Sequence, residues 1–153
     1  MIDFDDLQWE RGYHRMAAYR RSKLANLLFA FELGRRYPGL TSVAAHPGAA
    51  RTPLMRHSPW HFRFVTSART RWAFSWLIQS PEAGALPLLR AATDPRAASG
   101  EYYGPDGWGQ FTGHPVAVEA APEACDLALA ARLWETSERL TGVRWPAIAA
   151  AGH

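Results

Sequence analysis

The chain has 153 residues, 48% of them hydrophobic and 20% charged, with a net charge of +3 at pH 7; this is enough for one soluble domain with a sizeable core. One cysteine excludes an internal disulfide framework, and no run of about 18 apolar residues marks a membrane-spanning helix. The sixteen arginines are dispersed, and the pairs Arg20-Arg21 and Arg35-Arg36 read as a solvated helix face, so no nucleic-acid partner is expected.

Residues 1–15 read as an irregular, mixed-charge lead-in. A helix is predicted over 16–37, where Leu24, Leu27, Leu28 and Phe31 recur at i, i+3, i+4 and i+7 and form a core-facing stripe. Tyr19, Lys23, Asn26 and Ala30 form a second stripe beside it, about 100° round. Pro38-Gly39 ends the helix. Lys23 is the only lysine of the chain and falls four residues after Tyr19, so the two side chains are helix neighbours. An ammonium next to a phenol favours phenolate, which makes such a pair a candidate proton donor or acceptor at an oxygen being reduced or oxidised.

The segment 41–52 reads as a short strand, 41–46, stopped by the loop that opens at Pro47-Gly48. His46 is expected to be a strand-end residue packed beside that loop, not a catalytic base; His14 and His114 read as loop residues. Residues 53–80 are aromatic and basic, with Trp60, Phe62, Trp72 and Trp76 among arginines. Three uses compete for this lobe: plain packing, the wall of a pocket for a bulky apolar substrate, and contact with a membrane surface, the last being the least favoured. His57 and His61 have helical metal-pair spacing, but Pro59 lies between them and no acidic or cysteine ligand is near, so no metal site is expected.

Within 81–143, Ser80-Pro81-Glu82 opens a helix, with serine as N-cap and proline at the first helical position. Glu101-Tyr102-Tyr103 reads as a second, very short strand. Pro122 is expected to open a last helix that Gly142 stops, with Cys125 inside it as a small buried hydrophobe. Residues 144–153 read as a tail. The expected class is α/β, helix-rich, with two short strands in a parallel sheet, and the whole chain, 1–153, is expected to be a single partial domain. The acidic start lacks the basic and apolar regions of a signal peptide, and a cytoplasmic location is the expectation.

Four stretches carry a family likeness. Tyr19-Arg20-Arg21-Ser22-Lys23-Leu24-Ala25-Asn26 resembles the Tyr-x-x-Ser-Lys helix of the short-chain dehydrogenase/reductase family, extended by the Leu-Ala-Asn of its retinol-dehydrogenase-like branch. Ala45-His46-Pro47-Gly48-Ala49-Ala50-Arg51-Thr52 resembles the Pro-Gly-x-x-x-Thr loop after that family's sixth strand. Gly100-Glu101-Tyr102-Tyr103-Gly104-Pro105-Asp106-Gly107 is similar to its seventh strand, and Leu133-Trp134-Glu135-Thr136-Ser137-Glu138 to the branch's closing segment. The likeness runs from about Ile2 to Val143 and, by the chain order of those motifs, corresponds to the C-terminal half of a Rossmann-type, doubly wound parallel sheet.

The resemblance implies NAD- or NADP-dependent hydride transfer between an apolar alcohol and its aldehyde or ketone. Tyr19 would be the catalytic acid or base. Lys23 would hold the nicotinamide ribose and keep the phenol acidic. Pro47 and Gly48 would pass close to the nicotinamide, where a side chain would clash, and Thr52 would reach its carboxamide or pyrophosphate. The lobe 53–80 corresponds to the family's variable substrate region.

The family's glycine-rich turn and its catalytic serine, which precedes the tyrosine, have no counterpart here: residues 1–18 hold no serine, and Ser22 lies inside the motif itself. Gly104, Gly107 and Gly109 are not followed by a helix and are rejected as a dinucleotide site. The expectation is therefore half of a catalytic site, not competent alone, with Met1 either an internal methionine taken as a start or the remnant of a truncated gene. The alternative is a non-enzymatic remnant or pseudoenzyme acting through subunit or membrane-surface contacts, including a homo-oligomer formed through its exposed helix and sheet edge.

Overall fold

The apolar stripe of Leu24, Leu27, Leu28 and Phe31 does form a helix, α1 (Arg15–Arg36). His14 caps it: its ring nitrogen Nδ1 accepts the Ala17 N–H at 3.3 Å, and the last turn carries Arg35 and Arg36, the charge sign that a helix C-terminus favours. The computed structural model describes residues 2–49 and 78–145. Thr52, the lobe residues Trp60, Phe62, Trp72 and Trp76, the pair His57 and His61, and the tail beyond Trp145 lie outside the described residues.

The remaining elements are β1 (Ala44–Ala45), α2 (Pro81–Thr93), β2 (Tyr102–Pro105), a 3-10 turn Trp108–Gln110, β3 (Pro115–Ala117), a 3-10 turn Pro122–Cys125 and α3 (Leu127–Thr141). The chain divides into two compact units. Among the described residues one comprises 2–44, 98–101 and 119–145, and the other 45–49, 78–97 and 102–118.

The first unit is built on α1 packed against α3. Leu28 is fully buried beside Ile2 and Ala130, and Phe4, Leu7, Leu24, Leu129 and Leu133 close around them. Each large apolar side chain removed from water this way contributes about 1.5–3 kcal/mol. The lead-in is therefore part of the core and not a free arm. Arg21 holds it down: the guanidinium donates to the Asp6 carbonyl at 2.7 Å and lies 4.0 Å over the Trp9 ring. At the far end of α1, Gly34 leaves space for Ser99, whose Cβ would be 2.8 Å from a Cβ on residue 34. Ser99 Oγ donates to the Leu40 carbonyl and accepts from the Ser42 amide at 3.0 Å, which ties two segments distant in sequence. Asp126 caps α3 by accepting the Leu129 N–H at 2.9 Å, and Gly142, at φ +70°, ends it in the left-handed conformation that glycine tolerates.

In the sheet the strand order is β1-β2-β3. The Ala44 amide reaches the Glu101 carbonyl and the His46 amide reaches Tyr103, two residues further along each strand, which is the parallel pattern. β3 pairs with β2 antiparallel, Gly104 opposite Val116. The sheet is thus mixed, and it has three strands where two were expected. Strand β1 is shorter than the predicted 41–46, and β2 runs on to Pro105.

Helix α2 begins as predicted, with Ser80 Oγ accepting the Ala83 N–H at 3.2 Å and Pro81 at the first helical position. It packs on β2 and β3, and Arg90 donates to the Pro115 carbonyl while its guanidinium lies 5.7 Å from the Tyr103 ring centroid.

Two further expectations are corrected. Pro122 opens a four-residue 3-10 turn, and α3 starts only after Asp126, whose carboxylate is the stronger helix-start signal. Cys125 lies in that turn and is exposed, not buried.

Candidate active site

Tyr19 and Lys23 project from one exposed face of α1, one turn apart, and the structure brings them together: the Lys23 ammonium lies 5.5 Å from the centroid of the Tyr19 ring. Tyr19 is 50% exposed, so its phenol stands open to solvent or to a substrate. Among the described residues no carboxylate pairs with Lys23, although Arg21, Arg35, Arg36, Arg90 and Arg96 all have acidic partners. An ammonium carries three donors and no acceptor. Ser22 Oγ donates to the Tyr19 carbonyl at 2.8 Å, a local helix bond.

At the same end of α1 lies a groove of about 610 Å³ lined by Trp9, His14, Met16, Arg20, Leu24 and Glu123, among others; Tyr19 and Lys23 do not line it.

Pro47 and Gly48 belong to the second unit, and their turn is bonded to residues of that unit. Gly48 has φ +60°, a conformation that side chains disfavour. A Cβ on it would also stand 2.4 Å from the Phe111 carbonyl oxygen and 2.7 Å from Pro105 Cγ. The protein's own packing therefore already demands glycine here, independently of any clash with a nicotinamide. The Pro47 carbonyl accepts from the Gln79 side chain at 2.6 Å, and the Ala49 amide donates to Phe111 O at 2.8 Å.

His46 anchors this turn, a role that its expected position beside the loop hinted at without defining. Its Nδ1 accepts the Gly48 N–H at 3.2 Å, so the ring proton sits on Nε2 and donates to Gln110 Oε1 at 3.0 Å. Burial pushes the imidazole pKa down from its ordinary 6.5, against the opposing pull of the Gln110 hydrogen bond. Gln110 itself has φ +57°, a conformation that costs a non-glycine residue about 1–2 kcal/mol. The His46 ring leans on Tyr102, 5.0 Å between centroids, and burial raises the pKa of that phenol. No spacing in the sequence ties His46 to Gln110 or Gly104; the histidine between β1 and the Pro-Gly turn was the only signal.

Two glycines of the cluster rejected as a dinucleotide site are in close contact with neighbouring groups. A Cβ on Gly107 would lie 2.2 Å from the Thr112 carbonyl oxygen, and one on Gly104 would lie 2.0 Å from His46 Nε2. No group of three or more His, Cys, Asp and Glu residues is placed to hold a metal among the described residues.

No protein-family profile matches the chain. It is 43% identical to human retinol dehydrogenase 13 over 96% of its own length and 43% of that protein's. It is 36% identical to human retinol dehydrogenase 14, covering 93% of this chain and 40% of the relative, and 38% identical to mouse polyprenol dehydrogenase, covering 92% and 40%. A crystal structure of an uncharacterised protein from Mycobacterium paratuberculosis aligns with a TM-score of 0.65 at 31% identity, over 95% of this chain and 47% of that one. The chain spans about two fifths of the length of the curated relatives it matches. The fold is accordingly α/β and Rossmann-like in part.

Proposed function

The chain belongs to the short-chain dehydrogenase/reductase family, on its retinol-dehydrogenase-like branch, and from that premise we propose that it carries the proton-transfer part of an NAD(P)-linked site for an apolar alcohol and its aldehyde or ketone. The observation that carries this reading is the pairing of Tyr19 with the sole lysine, one helical turn apart, both open and the ammonium without a carboxylate partner among the described residues. The chain's likeness to retinol and polyprenol dehydrogenases supports an apolar alcohol as the substrate class.

In the reducing direction the Tyr19 hydroxyl donates its proton to the substrate oxygen as the carbonyl carbon becomes tetrahedral. The phenolate left behind is held by the neighbouring ammonium and regains its proton from solvent, which half-exposed Tyr19 can reach. In the oxidising direction the phenolate accepts the alcohol proton. Lys23 would hold the ribose of a nicotinamide cofactor, which supplies the hydride when bound. Residues 1–153 contain no glycine-rich turn of the kind that cradles a dinucleotide pyrophosphate at a helix start, and the chain by itself is expected not to turn over.

The test joins residues 1–153 to the part of human retinol dehydrogenase 13 that this chain does not cover. The fusion is expected to reduce a long-chain aldehyde with NADH or NADPH. Tyr19→Phe is expected to lower kcat by about 10²-fold or more, with cofactor affinity unchanged. Equal turnover by Tyr19→Phe would remove the phenol from the reaction. A well-folded fusion without activity would favour the non-enzymatic alternative.

A further inference from the structure

We propose that His46 is a positioning residue: its imidazole pins the Pro47–Gly48 turn by accepting the Gly48 amide, and so presents that turn to a nicotinamide. The nicotinamide clause rests on the reading above; the pin itself rests on geometry alone.

Four observations converge on it. Among the described residues the Gly48 N–H goes to His46 Nδ1, while the turn's next amide, Ala49, goes to the Phe111 carbonyl. The other face of the ring is committed as well, Nε2 to Gln110 Oε1, so the ring can neither rotate nor exchange its tautomer without breaking both bonds. Gln110 holds an unfavourable backbone conformation in the segment that closes on Gly48, where Phe111 O and Gln110 O both crowd the glycine. Finally, residue 104 is a glycine at the point where any Cβ would occupy the space of the imidazole. Helix-independent, doubly bonded and given room by a glycine in another strand, the ring is built into the turn.

Packing alone would be served equally by a phenyl ring of similar size, which cannot accept a hydrogen bond. An asparagine places its Oδ1 near where Nδ1 stands, and so keeps the acceptor toward residue 48. A glutamine reaches toward Gln110 instead. These three substitutions separate filling space from pinning the turn.

The experiment uses the full chain, ¹⁵N-labelled, and reads the His46 ring tautomer and the exchange rate of the Gly48 amide. Wild type is expected to carry its ring proton on Nε2. His46→Phe is expected to speed exchange of the Gly48 amide by about tenfold or more, on the scale of losing one hydrogen bond. His46→Asn is expected to restore it to within about threefold of wild type, and His46→Gln is not. If His46→Phe does not fold, the Asn and Gln pair decides the matter. A ring proton on Nδ1, an unchanged Gly48 amide in His46→Phe, or equal exchange in the Asn and Gln variants would overturn the pin. Neither readout uses a cofactor, so a silent fusion protein would refute the oxidoreductase reading and leave this result standing, and the reverse holds too.

Discussion

Gly104 makes the space that His46 fills: a Cβ on residue 104 would stand 2.0 Å from the imidazole Nε2, far inside contact distance. Gly104 lies on β2 and His46 directly follows β1, and the missing side chain of one is the condition for the burial of the other.

Gly104→Ala therefore forces the ring out of its place and breaks the bonds to Gly48 and Gln110. Overpacking of this kind costs about 1–3 kcal/mol. The expected result is a fall of about 2 kcal/mol in urea unfolding free energy. In a His46→Ala background, where the ring is gone, the same Gly104→Ala change is expected to cost much less. Strict additivity of the two changes would show that the clash is relieved elsewhere.

His46 also gives the stability a pH dependence whose sign is fixed. Its folded pKa lies below the unfolded value of 6.5, so the unfolded chain binds the proton first as pH falls. The neutral ring's contribution is complete above the unfolded pKa, and it is lost as pH drops from there through the lower folded value. Urea midpoints of wild type are expected to fall between about pH 7.5 and about pH 5.5, and those of His46→Asn to fall less. Parallel slopes would mean that His46 does not carry the effect.

Trp134 is the hub of the first unit's aromatic cluster. It is 4% exposed, stacks on Phe29 at 5.3 Å and 7°, and takes the Arg36 guanidinium at 5.1 Å from its ring. Its indole N–H also donates to Glu138 Oε1 at 2.9 Å. Trp134→Ala is expected to cost about 3–5 kcal/mol in thermal or urea unfolding. Trp134→Phe, which keeps the stack and loses the N–H, is expected to cost about 1–2 kcal/mol. A larger loss for phenylalanine than for alanine would contradict this division.

What could be read in advance followed local rules. The leucine spacing of α1, the Ser80-Pro81 start of α2 and the Gly142 stop of α3 each depend on residues within a few positions, and all three formed as expected. The Tyr19–Lys23 pairing is local in the same sense. Strand β3 was missed because three residues that begin on Pro115 carry no alternation to detect; their pairing partner, β2, is set by the sheet and not by the strand. The start of α3 lies after the predicted Pro122 because that proline opens a short 3-10 turn and the Asp126 cap opens the helix. Cys125 was assigned to the interior on residue type alone, and a short 3-10 turn exposes it. The His46 network was invisible because Gln110 lies sixty-four residues away, and because Gly48 reads as a cofactor glycine when internal packing already requires it.

Glu32 sets the response to acid. Its side chain is 1% exposed at the C-terminal end of α1, where Arg35 donates at 2.6 and 2.8 Å and Arg36 at 2.5 Å. Burial alone would raise its pKa, but the hydrogen bonds and charges of Arg35 and Arg36 outweigh it and hold the carboxyl below its ordinary 4.5. A depressed carboxylate stabilises the fold fully above the unfolded pKa, and the contribution disappears as pH falls through the folded value. Glu32→Gln removes the charge from the two guanidiniums and turns an amide N–H₂ toward them. It is expected to cost about 2 kcal/mol near neutral pH, the scale of charge-assisted hydrogen bonds. The gap between wild type and Glu32→Gln is then expected to narrow steadily below about pH 4.5, as protonation of wild type removes the same charge. Because the comparison is a difference, the other depressed carboxylates, Glu82 and Asp94, cancel from it. A gap that stays constant into acid would show that Glu32 acts by shape and not by charge.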